Sequence, residues 1–355
     1  MITGELKSNY ASDEFIWDNI YKKVFLIISL IFLILLPFFS NDYVILLACR
    51  MLIILTAVVG VNVVMGYTGQ MSLGHAAFIA IGAYVTCIFY NLTEGLIPLG
   101  IMPFISIPLS MFIAALVGLI VGLPSLRVKG IYLAVATLSA NFIIIFIIEQ
   151  PFLSQWTGGL VGIDSPNPNL FGWEMDTKRE KYWLVMPISV FLLLFAQNLF
   201  RTRIGRAFIA IRDSDYSAEI LGISLYNFKL LSFAISAAYC GAAGALWAYF
   251  FARILPEQFE LLLSLQLVVA LIVGGMGRTM GPVLGVILVL LVPELLKMIF
   301  GLMPSDGFSV EKLRAPLQEI TFGILIIGFI LFEPLGLVAI TDRFFRFLNR
   351  WPFAQ

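Results

Sequence analysis

The chain has 355 residues, of which 60% are hydrophobic and 12% charged. Soluble domains carry about 25% charged residues, so the composition excludes an ordinary soluble globule and points to an integral membrane protein. The 22 basic and 22 acidic residues sum to a formal net charge of zero, which offers no basic field for a nucleic-acid partner.

Residues 1–23 are polar, with no small-residue cleavage site after an apolar core, and read as a cytoplasmic tail and not a signal peptide. A spanning helix needs about 20 apolar residues. Ten stretches qualify: about 24–40, 44–66, 71–90, 103–124, 130–150, 183–200, 229–252, 261–277, 280–300 and 318–337. The expected fold class is therefore an all-α polytopic membrane protein, with a membrane domain over 24–340 and a second cytoplasmic tail over 341–355. The stretches 71–90 and 261–300 are glycine-rich and are candidates for broken or re-entrant segments.

Basic residues set the orientation. With the N-terminus inside, Lys7, Lys22, Lys23, Arg127, Lys129, Arg278, Arg343, Arg346 and Arg350 fall on the inner side, as does the basic stretch beginning at Arg201. An even number of spans then puts both termini in the cytoplasm. The longest outer loop, 151–182, holds Gly158, Gly159, Gly162, Pro166, Pro168, Trp156 and Trp173. Such a segment is built from turns. It is either part of an outer mouth or external docking surface, or a connector with interfacial tryptophan anchors.

The segment 201–228 is the long polar interruption between apolar runs. Its first part, Arg201 to Gly222, reads R-T-R-I-G-R-A-F-I-A-I-R-D-S-D-Y-S-A-E-I-L-G. Ile204, Phe208 and Ile211 share one helical face. Asp213, Ser214 and Asp215 break the pattern, Asp215 is expected to cap a second short helix, and Gly222 marks its end. The expectation is two short amphipathic helices on the membrane surface, with a cationic side from Arg201, Arg203, Arg206 and Arg212. This is a docking element for a cytoplasmic partner, although the positive-inside rule alone also accounts for a basic inner loop.

The spans themselves carry few ionisable groups. Glu294 and Lys297 are spaced to pair, Arg50 is near an outer end, and His75 is the single histidine. Proton-driven pumps need buried carboxylate or histidine relays, so the driving energy is expected from another chain. The sequence has no G-x-x-x-x-G-K-[ST] phosphate loop, and no glycine is followed by lysine. Cys49, Cys87 and Cys240 sit in apolar runs, so neither a disulfide framework nor a metal site is expected. A membrane-embedded enzyme would need clustered carboxylates, histidines or a nucleophile–base pair, and the sequence places none together.

Two glycine clusters stand out, Gly66 to Tyr84 and Gly274 to Gly285. Both fall at inner helix–helix junctions. Small residues allow close helix packing, and interrupted helices are tolerated where they line a cavity. Asn62, Gln70, Ser72 and His75, with Gly274, Gly275 and Gly277, are thus candidates for a pathway or gate for a polar, net-neutral solute, or for a tight packing corner. Thr137, Ser139, Asn141 and Gln266 are further polar residues within spans.

Several motifs converge on one resemblance. G-Y-T-G-Q-M-S-L-G-H-A-A-F, L-R-V-K-G-I-Y-L-A-V-A-T-L, T-G-G-L-V-G-I, the stretch from Arg201 to Ile223, and V-G-G-M-G-R-T-M-G-P-V-L-G resemble, in order and spacing, the LivM-type permeases of branched-chain amino-acid ABC importers. The resemblance covers about residues 25 to 340. It implies a subunit of a bacterial or archaeal inner-membrane importer that pairs with a second permease. Two cytoplasmic ATPases would carry ATP and magnesium, a periplasmic binding protein would deliver the solute, and no cofactor would reside in this chain. The Arg201–Gly222 stretch is similar to the family's ATPase-contacting loop, with Ala218, Glu219 and Gly222 in place of its E-A-A…G pattern. The triplet here is S-A-E, and the later proline is missing. Urea and short amides are alternative cargoes for the same architecture, and a stand-alone channel or secondary carrier is the alternative mechanism.

Overall fold

The structure, a computed structural model, describes residues 20–93, 99–125, 128, 130–170, 173–301 and, further on, 316–317, 320–321, 323–324, 326–328, 331, 333, 336–341 and 343. The main helices are α1 (Ile20–Phe39), α2 (Asp42–Val61), α3 (His75–Thr93), α4 (Met102–Ser125), α5 (Ile131–Glu149), α6 (Lys178–Arg201), α7 (Arg203–Asp213), α8 (Asp215–Ile220), α9 (Leu225–Phe250), α10 (Leu261–Gly274) and α11 (Gly281–Gly301).

Among the described residues, eight helices are long and apolar enough to cross a membrane: α2 to α6 and α9 to α11. The expected first span is helical as α1 over the described residues from Ile20 to Phe39. The expected tenth span lies largely outside the described residues; those described between 316 and 331 are helical. Of the expected tails 1–23 and 341–355, residues 1–19, 342 and 344–355 lie outside them too, with Lys7, Arg346 and Arg350, as do Arg127 and Lys129.

Helix α9 is the central post and packs along α4, α3 and α2. Its most apolar stretch is 72% buried within the chain, against 28% for those of α4 and α11, which lie on the outside of the bundle. The closeness comes from small residues. A Cβ on Gly241 would lie 2.6 Å from both Ser110 O and Ala114 Cβ of α4. Lipid tails are as apolar as leucine, so helix association in a bilayer depends on such backbone approach and on hydrogen bonds. The bonds are present: Tyr249 Oη pairs with Ser106 Oγ at 2.6 Å, Thr86 with Ser110 at 2.8 Å, and Tyr239 Oη donates to Leu192 O at 3.0 Å. Glu294 pairs with Lys297 at 2.8 Å as its spacing foretells, and also accepts from Tyr43.

The loop 151–182 is turn-built, as expected. Its described residues hold a helical turn at Ser154–Thr157, a 3-10 turn at Gly159–Val161 and, from Lys178, the start of α6; β1 (Ile163–Asp164) pairs antiparallel with β4 (Arg253–Ile254) beyond α9, and β2 (Asn169–Leu170) with β3 (Trp173–Glu174). The β1–β4 ladder clips this loop to the far end of α9, and Arg253 Nε donates to Val161 O at 3.0 Å. Helix α6 then starts with a reciprocal capping box between Thr177 and Glu180.

Candidate functional site

At the other end of α9 the two glycine clusters meet the basic segment. Helix α2 does not stop at a cap. It widens into a π-helical turn, Asn62–Tyr67, a form that recurs at functional sites. The chain then runs non-helically to His75, so α3 begins four residues later than the expected start at Met71. Asn62, 1% exposed, reaches from the π turn to the loop between α10 and α11: its Oδ1 accepts from Gly277 N at 2.9 Å, and its Nδ2 donates to Arg278 O at 3.1 Å. Gly66 and Gly277 come so close that a Cβ on Gly66 would sit 2.5 Å from Gly277 N. Gly277 has φ +72°, a conformation that costs any other residue strain. Gly274 ends α10, and Gly275 lies against Gly336 of the C-terminal segment.

The break after the π turn is held by polar bonds to α9 and its neighbours. Gln70 Nε2 donates to Ser232 Oγ at 3.0 Å. The His75 ring nitrogens pair with Ser72 Oγ at 3.3 Å and Ser236 Oγ at 2.9 Å. Ser264 Oγ of α10 accepts the Ala76 amide at 3.0 Å, and Thr137 Oγ1 of α5 accepts the Leu73 amide at 3.0 Å. Gln70, Ser72 and His75 are all buried and hydrogen-bonded, Ser72 to His75 and the other two to serines of α9. Such a set fastens helices together and is not poised for bond chemistry. Of the seven pathway candidates, Gln70 borders the adjoining cavity of about 350 Å³, which is lined also by Thr68, Gly69, Ile211, Arg212, Asp215 and Lys229.

The segment after α6 forms the two expected short helices. On α7, Ala207, Phe208 and Ile211 are buried, and Phe208 meets Phe228 of α9 edge-on at 6.3 Å. Arg203 and Arg206 are exposed, and Arg206 Nη1 donates to Arg201 O at 3.2 Å. Arg212 points elsewhere: its Nη1 donates to Gly66 O at 2.7 Å. The cap of α8 differs from the sequence expectation. Ser214 is the N-cap and accepts the Ser217 amide at 3.2 Å, while Asp215 is the first helical residue and pairs with Lys229 at 2.8 Å. Gly222, at φ +81°, does close α8: its amide bonds Glu219 O and the Ile223 amide bonds Ala218 O, the crossed pair of a Schellman motif. Ala218 is buried, so Tyr216, Ile220 and Leu221 stand 75%, 69% and 76% exposed.

The structure thus joins Arg212 to the glycine clusters and separates it from Arg203 and Arg206. Sequence reasoning missed Tyr67, which stacks on Phe200 at 3.5 Å between ring centroids, and the serines of α9 and α10. The signal was available in Ser232 and Ser236, one helical turn apart in an apolar run. It also missed the exposed Tyr216, Ile220 and Leu221.

Comparison with known proteins follows the same lines. The model of a family described as "Branched-chain amino acid transport system / permease component" matches residues 43–330. The chain is 32% identical over 304 residues to the high-affinity branched-chain amino acid transport system permease protein LivM of Escherichia coli, covering 79% of this chain and 70% of that protein. It is 27% identical over 295 residues to BraD of Pseudomonas aeruginosa, a permease protein of the same description, covering 79% and 89%. It is also 24% identical over 284 residues to the probable branched-chain amino acid transport permease protein LivH of Methanocaldococcus jannaschii, covering 77% and 84%. No solved structure matches.

Proposed function

The chain belongs to the family of branched-chain amino acid transport system permease components, and from that premise we propose that it is one of two permeases in an ATP-driven importer of branched-chain amino acids. The observation that carries the coupling part of this reading is the face presented by α7 and α8. Arg203 and Arg206 of α7 and Tyr216, Ile220 and Leu221 of α8 all stand exposed, on a segment anchored by buried Phe208, Ile211 and Ala218. An exposed apolar patch rimmed with charge is the signature of a protein contact. A cytoplasmic ATPase offering an apolar cleft with an acidic rim is its proposed occupant, with ATP and magnesium held there. That the chain resembles both LivM and LivH proteins supports a related permease as its partner in the pore. A periplasmic binding protein would deliver the solute to the opposite face, where the loop 151–182 is clipped to α9.

The test is a pull-down of the tagged chain from mild detergent, co-expressed with its genomic neighbours, followed by uptake of labelled leucine, isoleucine, valine and urea in proteoliposomes with and without ATP. Co-purification of a second permease and two ATPases, with ATP-dependent leucine uptake, is the expected result. A variant carrying Arg203→Glu, Arg206→Glu and Ile220→Asp inserts normally and loses the ATPases. Recovery of the chain alone, with ATP-independent uptake, would overturn the importer reading, and urea uptake in place of leucine would overturn the cargo.

A further inference from the structure

Resting on that importer reading, we propose that Arg212 is the link through which the coupling segment grips the membrane-embedded helices, so that movement of α7 and α8 reaches both glycine clusters at once. The role is that of a positioning residue. Its geometry differs from that of its basic neighbours. All three arginines are exposed, but Arg206 Nη1 turns back to Arg201 O of its own segment, whereas Arg212 Nη1 reaches across to the junction and donates to Gly66 O at 2.7 Å. Gly66 stands near the end of the π turn, where carbonyls lack partners within the helix, and the C-terminal end of a helix favours a cation.

Glycines make the seat. A Cβ on Gly69 would lie 3.3 Å from Arg212 Cγ. A Cβ on Gly277 would clash with Arg212 Nη1, with Cζ 3.1 Å away. The first cluster therefore supplies two glycines around one arginine and the second supplies one. Asn62 ties the same two clusters together, across 215 residues of sequence, through Gly277 N. The line of contact runs from α7 through Arg212 to Gly66, Asn62 and Gly277, and so to the loop between α10 and α11. The cavity of about 350 Å³ beside Arg212 leaves the segment room to shift without overpacking. A pull on α7 then bears on the end of α2 and on the α10–α11 loop together.

The experiment uses the whole importer, both permeases and both ATPases, in proteoliposomes. The readout is the number of leucine molecules imported per ATP hydrolysed. Arg212→Gln is expected to lower that ratio on the order of tenfold in an intact complex. Arg212→Lys keeps one point donor without the planar fork and falls between. Gly277→Ala keeps the arginine but crowds its seat, with added strain at φ +72° and a close approach to Gly66 O, and is expected to lower the ratio at least as far as Arg212→Gln. A purely structural role would lower complex yield and hydrolysis together and leave the ratio at the wild-type value. That result in Arg212→Gln, or in Arg212→Lys and Gly277→Ala if Arg212→Gln does not assemble, would overturn the link. A wild-type complex without ATP-driven uptake would instead overturn the importer reading beneath it.

Discussion

Replacing Asn62 with alanine tests whether the two glycine clusters are fastened by hydrogen bonds or merely packed. Asn62 is 1% exposed, and its amide satisfies two backbone groups of the facing loop, Gly277 N at 2.9 Å and Arg278 O at 3.1 Å. Alanine removes both bonds and leaves a half-buried donor and a half-buried acceptor, so the penalty sits toward the low end for such groups. Each buried unsatisfied group costs about 1–3 kcal/mol. Side-chain bonds inside membrane proteins average nearer 0.6 kcal/mol, with a maximum of about 1.7. Weighing the two, Asn62→Ala should cost about 2–3 kcal/mol. For a chain of this size that corresponds to a fall of roughly 4–6 °C in melting temperature, at about 2 °C per kcal/mol. The protein carries its own reporter, because Cys49, Cys87 and Cys240 are free and buried. A thiol-reactive fluorophore on a thermal ramp in detergent reads unfolding directly. Asn62→Leu separates the causes: it keeps the branched shape and fills the site but cannot make the bonds, and should melt as low as the alanine variant. A leucine variant restored to the wild-type melt, or an alanine variant within about 1 °C of it, would refute the hydrogen-bond argument.

Two further substitutions address the fold and the short helix α8. Gly241→Val places a side chain where Ser110 O and Ala114 Cβ already stand 2.6 Å from the Cβ position. Overpacking typically costs 1–3 kcal/mol or more, so monodisperse protein on fluorescence-detected size exclusion should fall sharply, and an unchanged profile would contradict the seam between α9 and α4. Ser214→Ala should speed amide hydrogen exchange across 216–221, since losing an N-cap costs about 1 kcal/mol. Asp215→Asn should change it less, because a partly exposed ion pair contributes under about 1 kcal/mol; the reverse order would return the cap to Asp215.

The spans were legible because an apolar run of membrane length has few alternatives. What followed each run was less so. Nothing in N-V-V-M-G-Y announces a π turn. The wider turn lies where Asn62 and Gly66 contact a loop over 200 residues away, and periodicity contains no such long-range term. In D-S-D three residues compete for one cap, and sequence alone chose Asp215. The structure gives the cap to Ser214 and pairs Asp215 with Lys229 of α9. The separation of Arg212, by contrast, could have been read. At about 100° per residue, position 206 lies near 203 on the helix, whereas 212 lies roughly 120° around from 206. Grouping four arginines by charge concealed that difference in face.

The same helical arithmetic bears on how the coupling segment could act at a distance. Helix α9 has 26 residues, a length of about 39 Å. At its first turns Lys229 holds Asp215, Ser232 holds Gln70 and Ser236 holds His75. At its far end Trp247 Nε1 donates to Gln258 Oε1 at 3.3 Å, and β4 pairs with β1 of the long loop. Sharp kinks arise at prolines, π bulges or glycine–serine pairs. The sequence of α9 has no proline, and its two glycines are wedged against α3 and α4. A rod so packed tilts before it bends. The places that can yield are those around it: the π turn, Gly69 and Gly277 at positive φ, and Gly222 after α8. On the proposed reading, a displacement of α7 and α8 therefore cannot be absorbed within α9. It must emerge as motion of the loop at the opposite face, so the docking segment and that loop are expected to move as one body, with the glycine junction as the pivot.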